Sequence, residues 1–592
     1  MEKIRLVGTF KNNKSFGFVI PDNKKDSKDI FISKKYFSGA KNDDKVVVEI
    51  TKVEENGKKP EGKIVEVIGN IDVAGVDMLS IIKQYNLPYE FPKPVLDEAK
   101  KIAQEVSENE IKGRFDFRGE TIFTIDGEDA KDLDDAVSVE KTKSGTYILK
   151  VHIADVSHYV KASSLIDKEA VARGTSIYML DRVIPMLPKK LSNGICSLNE
   201  GVDRLTLSVI IEIDNNGNAI SADVTKGVIK VTKRMSYNTV QALLDLEENE
   251  EVKEDLKPYF QYIEHFKLME ELAQILENKR KEHGYLDLDI PESKVTLNKQ
   301  GYAIDVGRYE IKFSNTIIEQ FMLTANEVVA EKFFWLEAPF IYRVHEAPDE
   351  EKVKELNSFL YNFGYKIKGN KENIHPKAFA TILENIKGKD EEKVVSNLIL
   401  RTLKVARYEA ENKGHFGIAG KYYCHFTSPI RRYPDLYIHR IISKYLENNY
   451  LVDEQFNQEQ SEIAVKCAEK SSEKEKIAQK AERESVDLKK AEYMEKKIGE
   501  VYEGIVSGVT QFGIFVELEN TVEGLIRFEN LGDEYFIYDD AHKQLIGEHT
   551  NTVYKMGDKI TVQVIEANKL LKRVAFAKFD SFGDGAKTSQ IL

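Results

Sequence analysis

Apolar and polar positions change their period several times along the chain, and each change marks a separate body. Between Arg5 and Gly69, short apolar runs alternate with turn residues: RLVGTF, FGFVIP, DIFIS, KVVVEI and GKIVEVIG. Five strand candidates at such short spacing predict a small OB-type barrel over residues 1–70. Pro88, Pro92 and Pro94 then interrupt the chain, and a charged helical run is expected from Val95 to Ile111, so 71–112 reads as a connector. From 113 to 450, apolar β-branched runs such as Ile122–Ile125, Ala136–Val139 and KVHIADV mix with helical segments near 238–282 and 315–334. That mixture predicts an α+β body. Residues 451–498 read as helix, because Glu462–Lys497 is rich in Glu, Lys and Ala and contains no Gly or Pro. At Gly499 a β-pattern returns (GEVYEGIVSGVTQFGIFVELENTVEGLIRFENL), which predicts a second OB barrel over 499–580, followed by a short tail, 581–592. The fold class expected is therefore α+β and multidomain, with a central body flanked by β-barrels.

The densest chemistry lies in TIFTIDGEDAKDLDDAVSVE, residues 121–140. Asp126, Asp132, Asp134 and Asp135 fall within ten residues, between two short strand candidates. A loop pinned at both ends must crowd its carboxylates, and crowding and burial both raise carboxylate pKa values. A divalent cation relieves that repulsion, and hard oxygen ligands favour Mg²⁺, with Mn²⁺ as a substitute. A solvated acidic loop is the plain alternative. A calcium loop fits poorly, since the central Gly and the final Glu of that pattern are missing.

Composition narrows the setting. The chain has 592 residues, 42% apolar and 31% charged, so several globular domains are expected. A net charge of −13 argues against a uniformly basic coat but leaves room for a local basic channel. Cys196, Cys424 and Cys467 are far apart and odd in number, which disfavours a disulfide framework or a Cys-based zinc site. There is no signal-peptide pattern and no apolar run of membrane-spanning length. A reduced, cytoplasmic, monomeric protein without a membrane partner is the expectation.

Both barrels carry candidate stacking surfaces. Phe16 and Phe18 share one strand face, Phe31 follows, and Lys11, Lys14, Lys34 and Lys35 are close in sequence. Aromatics interleaved with cations suit single-stranded nucleic acid, with bases stacked and phosphates paired. At least one of these phenylalanines is expected to fill the barrel core instead. The FGFV and DIFI runs resemble a cold-shock domain. The second barrel resembles an S1 domain, with Phe512 and Phe528 as stacking candidates, Tyr535 nearby and Phe515 expected in the core.

Longer motifs complete the picture. Phe115-Asp116-Phe117-Arg118, TIDGEDAKDLDDAVS, RGTSIYMLDRVIPMLPKKLSN, IIEQFMLTANEVVA, YRVHEAP and HFTSPIRRYPDLYIHR together resemble the RNB family of 3′-to-5′ exoribonucleases. The GEDAKD form of the acidic loop is nearer to the family's ribonuclease R branch than to ribonuclease II. The resemblance implies processive, Mg²⁺-dependent hydrolysis of single-stranded RNA with a free 3′ end. The products it implies are nucleoside monophosphates and a short residual oligonucleotide, with ribosome- or translation-associated RNA as one source of substrate. It implies Asp126, Asp132 and Asp135 as metal ligands, Asp134 as the aspartate most essential to cleavage, and Arg431 as the contact to the scissile phosphate. It further implies Tyr178 as a stacking residue near the RNA 3′ end, Arg432 as an RNA or structural contact, and Glu319 and Asn326 as residues of a helix near the site. His345 and His425, lacking metal-type spacing, are read as structural.

Two departures stand out. Leu288 in Gly284-Tyr285-Leu286-Asp287-Leu288 occupies the position of a second stacking aromatic, with Tyr285 as its possible substitute. The chain also starts at one barrel, where the branch has a helical domain and two cold-shock domains, so activity on structured RNA is less expected than on single strands. The competing function is a catalytically silent RNA-binding or translation-associated factor on the same fold; a DNA-acting phosphodiesterase is a weaker third.

Overall fold

A computed structural model describes residues 4–23, 28–53, 59–246, 254–288, 292–361, 363–368, 374–389, 391–540 and 542–579; the expected tail lies outside them. Strands β1 (Arg5–Asn13), β2 (Phe16–Pro21), β3 (Ile30–Ser33), β4 (Asp44–Lys52) and β5 (Glu61–Asn70) close a barrel in the order β1-β2-β3-β5-β4. Its core holds Phe10, Val19, Ile30, Ile32, Val46, Val48 and Ile64. None of Phe16, Phe18 and Phe31 enters that core, which corrects the expectation that one of them would. Alternation along β2 turns Gly17 and Val19 inward. A Cβ at Gly17 would lie 2.3 Å from the Phe10 ring, so the glycine makes room for Phe10 and its neighbours Phe16 and Phe18 face outward.

The connector differs from the single helix expected over 95–111. Helix α1 (Val76–Gln84) comes first, then α2 (Lys93–Lys101), which opens at Pro92 and Pro94. The chain is extended at Ile102, and a separate turn of helix, Glu108–Ile111, begins at Ser107 with Glu110 completing a capping box.

The central body is built on a seven-stranded sheet. Its strands are β6 (Phe115–Asp116), β7 (Phe123–Asp126), β8 (Asp135–Lys141), β9 (Tyr147–Ala154), β10 (Asp203–Ile213), β11 (Ala219–Lys230) and β12 (Lys233–Ser236). They run in the order β12-β7-β8-β9-β10-β11-β6, antiparallel except at the two edges, where β12 pairs parallel with β7 and β6 with β11. Helices α3 (Tyr237–Leu244), α4 (Ile263–His283), α5 (Phe313–Trp335) and α6 (Tyr433–Glu447) share the large core with it. The sheet therefore presents the ends of β7 and β8, with the acidic loop between them, at one rim.

Helix α7 (Glu454–Glu495) lies within the 451–498 span read as helix, and it starts where Asp453 accepts the Phe456 N–H (2.8 Å) as its N-cap. At 42 residues it is about 63 Å long. The second barrel closes from Val501–Thr510, Gly513–Leu518, Glu523–Arg527, Lys559–Asn568 and Arg573–Lys578, with a three-stranded sheet inserted before its last two strands. Gly524 there repeats the device of Gly17, since a Cβ would lie 2.4 Å from the core ring of Phe576. Phe515 is not a core residue: Ile514, Val516 and Leu518 take the inward positions, leaving Phe515 half-buried beside Phe512 on the outer face.

Both barrels are tied to one stretch of α7. Lys489, 1% exposed at its side chain, pairs with Asp77 of α1 (2.6 Å) and with Glu492 (3.1 Å). Glu492 also accepts the Ala303 N–H (2.9 Å). Glu484 accepts from Tyr85 Oη (2.6 Å) and pairs with Lys572 of the second barrel. Asp22 of the first barrel accepts from Ser80 of α1 (2.9 Å) and pairs with Lys45 (2.5 Å). Removing one partner of a buried pair strands the other charge, at a cost of roughly 3–5 kcal/mol. Lys489→Met is expected to lower the chemical-denaturation midpoint accordingly and to speed proteolysis within 71–112. An unchanged midpoint and cleavage pattern would show that the pairs do not hold α1 in place.

Candidate active site

The acidic loop is short because its two strands are neighbours: Phe123 of β7 sits opposite Val137 of β8. Asp126 ends one strand and Asp135 begins the next, which fixes both carboxylates at the sheet rim. Asp134 is 4% exposed at its side chain. Its Oδ1 accepts the Ile430 N–H (2.8 Å), while Oδ2 is buried without a hydrogen-bond donor and lies 3.6 Å from Arg431 Nε. Asp126 Oδ2 is likewise buried without a donor.

These carboxyls hold protons unusually well. Burial, then the charge of Asp132, raises Asp126 to about 6, against the pull of Arg234 and Arg431. Burial and the neighbouring charge of Asp126 raise Asp135 to about 8, opposed by Arg431 and Arg432. Burial pushes Asp134 well above the usual carboxylate range, with the Arg431 charge and the Ile430 N–H opposing. Unpaired carboxylate oxygens under such strain suit a hard divalent cation.

The expected ligand set of Asp126, Asp132 and Asp135 is not preassembled, since among the described residues no three Asp, Glu, His or Cys side chains converge as a finished metal cage. The physical reason is mutual repulsion, together with a prior bond: Tyr178 Oη donates to Asp132 Oδ2 (2.9 Å). An open carboxylate rim still fits Mg²⁺, which commonly takes one or two carboxylates and completes its shell with water and substrate phosphate oxygens.

Arg431 rides on the turn before α6. Ser428 N–H donates to Asp435 Oδ1 (2.8 Å), and Arg431 Nη2 donates to Ser428 Oγ (3.0 Å). Arg432 takes a different part from its neighbour. Its guanidinium donates to Asp435 (2.7 Å) and is 17% exposed, so it is a brace of this turn rather than a surface presented to RNA. The turn is stitched to the segment before Tyr178: Ser176 N–H donates to the Arg431 carbonyl (2.9 Å) and Tyr433 N–H to the Gly174 carbonyl (3.0 Å). Tyr178, 40% exposed, and Arg431, 42% exposed at its side chain, therefore border one opening at fixed spacing.

Glu319 and Asn326 of α5 part company. Asn326 is buried, accepting the Phe426 N–H (2.8 Å), and holds the irregular segment that leads to Arg431. Glu319 is exposed and accepts from Tyr285 Oη (2.8 Å). Leu288 packs on an apolar cluster with Leu286 and Phe379, so Tyr285 is the aromatic of this stretch that reaches Glu319. His345 accepts the Gly417 N–H (3.0 Å) and His425 lies 2.8 Å from Tyr408 Oη, which fits structural roles for both.

Farther out, Phe16, Phe18 and Phe31 form a half-exposed triad with ring centroids 5.6–5.9 Å apart, and the Lys59 Nζ lies over Phe18. On the second barrel Phe512 is exposed, whereas Phe528 is half-buried against Phe536.

Sequence reading missed two residues. Glu482 of α7 accepts the Tyr178 N–H (2.7 Å), and Arg234 of β12 touches the acidic loop itself. Glu482 is one glutamate among many in the charged Glu462–Lys497 run. Arg234 carried no signal, because its relation to the loop depends on the parallel pairing of β12 with β7.

Comparison with known proteins gives the same fold, an RNB domain between two OB-type barrels. The family profile of the RNB domain matches residues 114–448, that of the cold shock domain 18–92 and that of the S1 RNA binding domain 495–579. The chain is 43% identical over 577 residues to ribonuclease R of Thermotoga maritima, covering 97% of this chain and 80% of that one. It is 44% identical over 516 residues to ribonuclease R 1 of Lactococcus lactis, covering 87% and 62% respectively. Among solved structures, Mycoplasma genitalium RNase R in complex with ribose methylated single-stranded RNA superposes with a TM-score of 0.89 at 28% identity, over 98% of this chain and 90% of that one.

The raised carboxyls give a signed stability effect. Asp126 and Asp135 bind protons more tightly folded than unfolded, where an aspartate titrates near 3.9. Their contribution is complete below that value and is lost as pH rises through about 6 and about 8. In EDTA, Asp135→Asn should come closest to the wild-type melting temperature at the lowest pH at which the protein is folded, exceed it increasingly as pH rises to about 8, and gain little above that. A difference that does not change with pH would count against the raised Asp135.

Proposed function

The chain belongs to the RNB family, among the ribonuclease R enzymes, and is a 3′–5′ exoribonuclease; from that premise we propose that it degrades single-stranded RNA processively to nucleoside 5′-monophosphates and a short end fragment, with Mg²⁺ as its cation and Mn²⁺ as a substitute. The observation that carries the metal reading is the pair of buried, donor-free carboxylate oxygens on Asp126 and Asp134, set beside an exposed arginine.

Asp126, Asp132 and Asp135 are the residues proposed to hold the cation, Asp132 exchanging its bond from Tyr178 for it. When bound, the cation supplies positive charge to the phosphate oxygens and lowers the pKa of the attacking water. Asp134, fixed by the Ile430 N–H, orients that water or completes the site through its free Oδ2. The Arg431 guanidinium contacts a non-bridging oxygen of the scissile phosphate, where a planar donor fork suits developing charge.

On the 3′ side of the scissile bond, Tyr178 stacks on the terminal base, an interaction of roughly 1–3 kcal/mol that accepts any base. Glu319, held by Tyr285, is placed to meet a ribose hydroxyl, the group that separates RNA from DNA. Phe16, Phe18 and Phe31 on one barrel and Phe512 on the other offer stacking surfaces for the incoming strand; Phe528 contributes its exposed edge. The single-stranded RNA of the Mycoplasma genitalium structure supports a single strand as substrate here. Among the described residues no helix is long and apolar enough to cross a membrane. A monomer acting in cytoplasmic RNA turnover and quality control is the setting proposed.

A time course on 5′-labelled RNA tests the reading. The label should move to one short product without a ladder of internal cuts, and EDTA should stop it. Asp134→Asn should remove cleavage while RNA affinity stays at the wild-type value. Internal cutting, or equal cleavage by the two proteins, would overturn the assignment; equal binding with no cleavage by either would favour a silent RNA-binding protein.

A further inference from the structure

The acidic loop has a fastener that the chemistry above does not use. Arg234 lies on β12, the edge strand that pairs parallel with β7, in a register that sets Arg234 opposite Thr124 and Ser236 opposite Asp126. From there its Nη2 donates to the carbonyls of Glu128 (3.0 Å) and Ala130 (2.6 Å), the middle of the loop between Asp126 and Asp132. The base of the arginine is itself fixed, since its backbone N–H donates to Glu200 Oε2 (3.0 Å) and Lys233 holds the other oxygen of that carboxylate (2.7 Å).

Other backbone contacts hold the loop within its own turn or at its Lys131–Leu133 end, where Ser197 Oγ accepts the Leu133 N–H (3.1 Å), and the Ala130 N–H donates to the Gly127 carbonyl (3.1 Å). Asn238 donates to the Glu128 carboxylate (2.8 Å), and Ser197 Oγ donates to the Lys131 carbonyl (3.0 Å). Gly127, with open space around its Cα, offers no packing that would hold the turn. Left to itself, a loop of like charges would spread, because each carboxylate gains by moving away from the others.

We propose that Arg234 is a positioning residue: one guanidinium bonded to two loop carbonyls sets the distance between Asp126 and the Asp132–Asp135 half of the site. The same side chain places positive charge near Asp126 without pairing with it, so the carboxylate is stabilised yet stays open to a cation. A shared guanidinium suits this task better than a lysine, whose point charge lacks the planar fork. The inference rests on the metal reading of the site for its consequence, but the contact itself does not.

Two arms test it. In metal-free, RNA-free protein, hydrogen–deuterium exchange over residues 127–131 should rise in Arg234→Ala and stay near wild type elsewhere in the sheet. On RNA-free protein, Mn²⁺ affinity read by electron paramagnetic resonance should fall about 10–100-fold, the range typical of residues that orient metal ligands. In turnover, kcat should fall while KM for RNA stays put, because the Arg234 guanidinium bonds to the loop carbonyls and not to a stacking residue. Arg234→Lys, keeping the charge with a poorer grip, should recover part of the Mn²⁺ affinity.

Unchanged exchange at 127–131 in Arg234→Ala would overturn the proposal. So would exchange raised across the whole sheet in both variants, which marks general loosening. If the loop exchanges faster but wild type itself binds no Mn²⁺, the fastening stands and the metal reading falls.

Discussion

Like charge held close together is the constraint from which the rest of this structure follows. Asp126, Asp134 and Asp135 are brought to one rim by two adjacent strands, and burial then makes their ionisation costly. The surroundings compensate incompletely. One backbone N–H reaches Asp134, Arg431 stands 3.6 Å away, and two carboxylate oxygens are left without a donor. A fully neutralised cluster would be a stable core with nothing to offer a cation or a phosphate. The unfilled valence of this one is what makes it a site, and a large, well-packed sheet is what allows it to be carried.

Around that rim the side chains that act are held through their backbones. The Arg431 carbonyl receives the Ser176 N–H, the Gly174 carbonyl receives the Tyr433 N–H, and Glu482 receives the Tyr178 N–H. The guanidinium and the phenol ring are thereby spaced by main-chain bonds, and their polar ends make one side-chain bond each, to Ser428 and to Asp132. Arg432 and Asn326 share this supporting work. Each sits beside a residue or segment that faces the opening, and each spends its own hydrogen bonds inward. Adjacent arginines in one motif can thus have opposite orientations, and a sequence motif does not say which is which.

Much of this was legible beforehand, for reasons that differ by element. The strands of both barrels could be read because short apolar runs are divided by turn residues, and the acidic loop because its aspartates crowd into ten residues. Where reading failed, a contact between distant segments decided the outcome. The core ring of the first barrel is Phe10 rather than one of the FGF or DIFI phenylalanines, since Gly17 opens the space that Phe10 fills. Phe515 faces outward because Ile514 and Val516 already occupy the inward phase of its strand. The run after Val95 breaks at Ile102, a break that no Gly or Pro announces. Arg234 and Glu482 were invisible as site residues because a parallel edge pairing and a helix from the far end of the chain bring them there.

The long helix adds a mechanical property. Over the eleven residues from Glu482 to Glu492, about 15 Å of helix, α7 meets Tyr178, helix α1, the second barrel and the 293–308 hairpin. Rods of this kind carry axial and lateral load without bending much, so these attachments share one footing. A displacement of α1 or of the second barrel is therefore passed to the Tyr178 backbone through continuous helix and not through a loop.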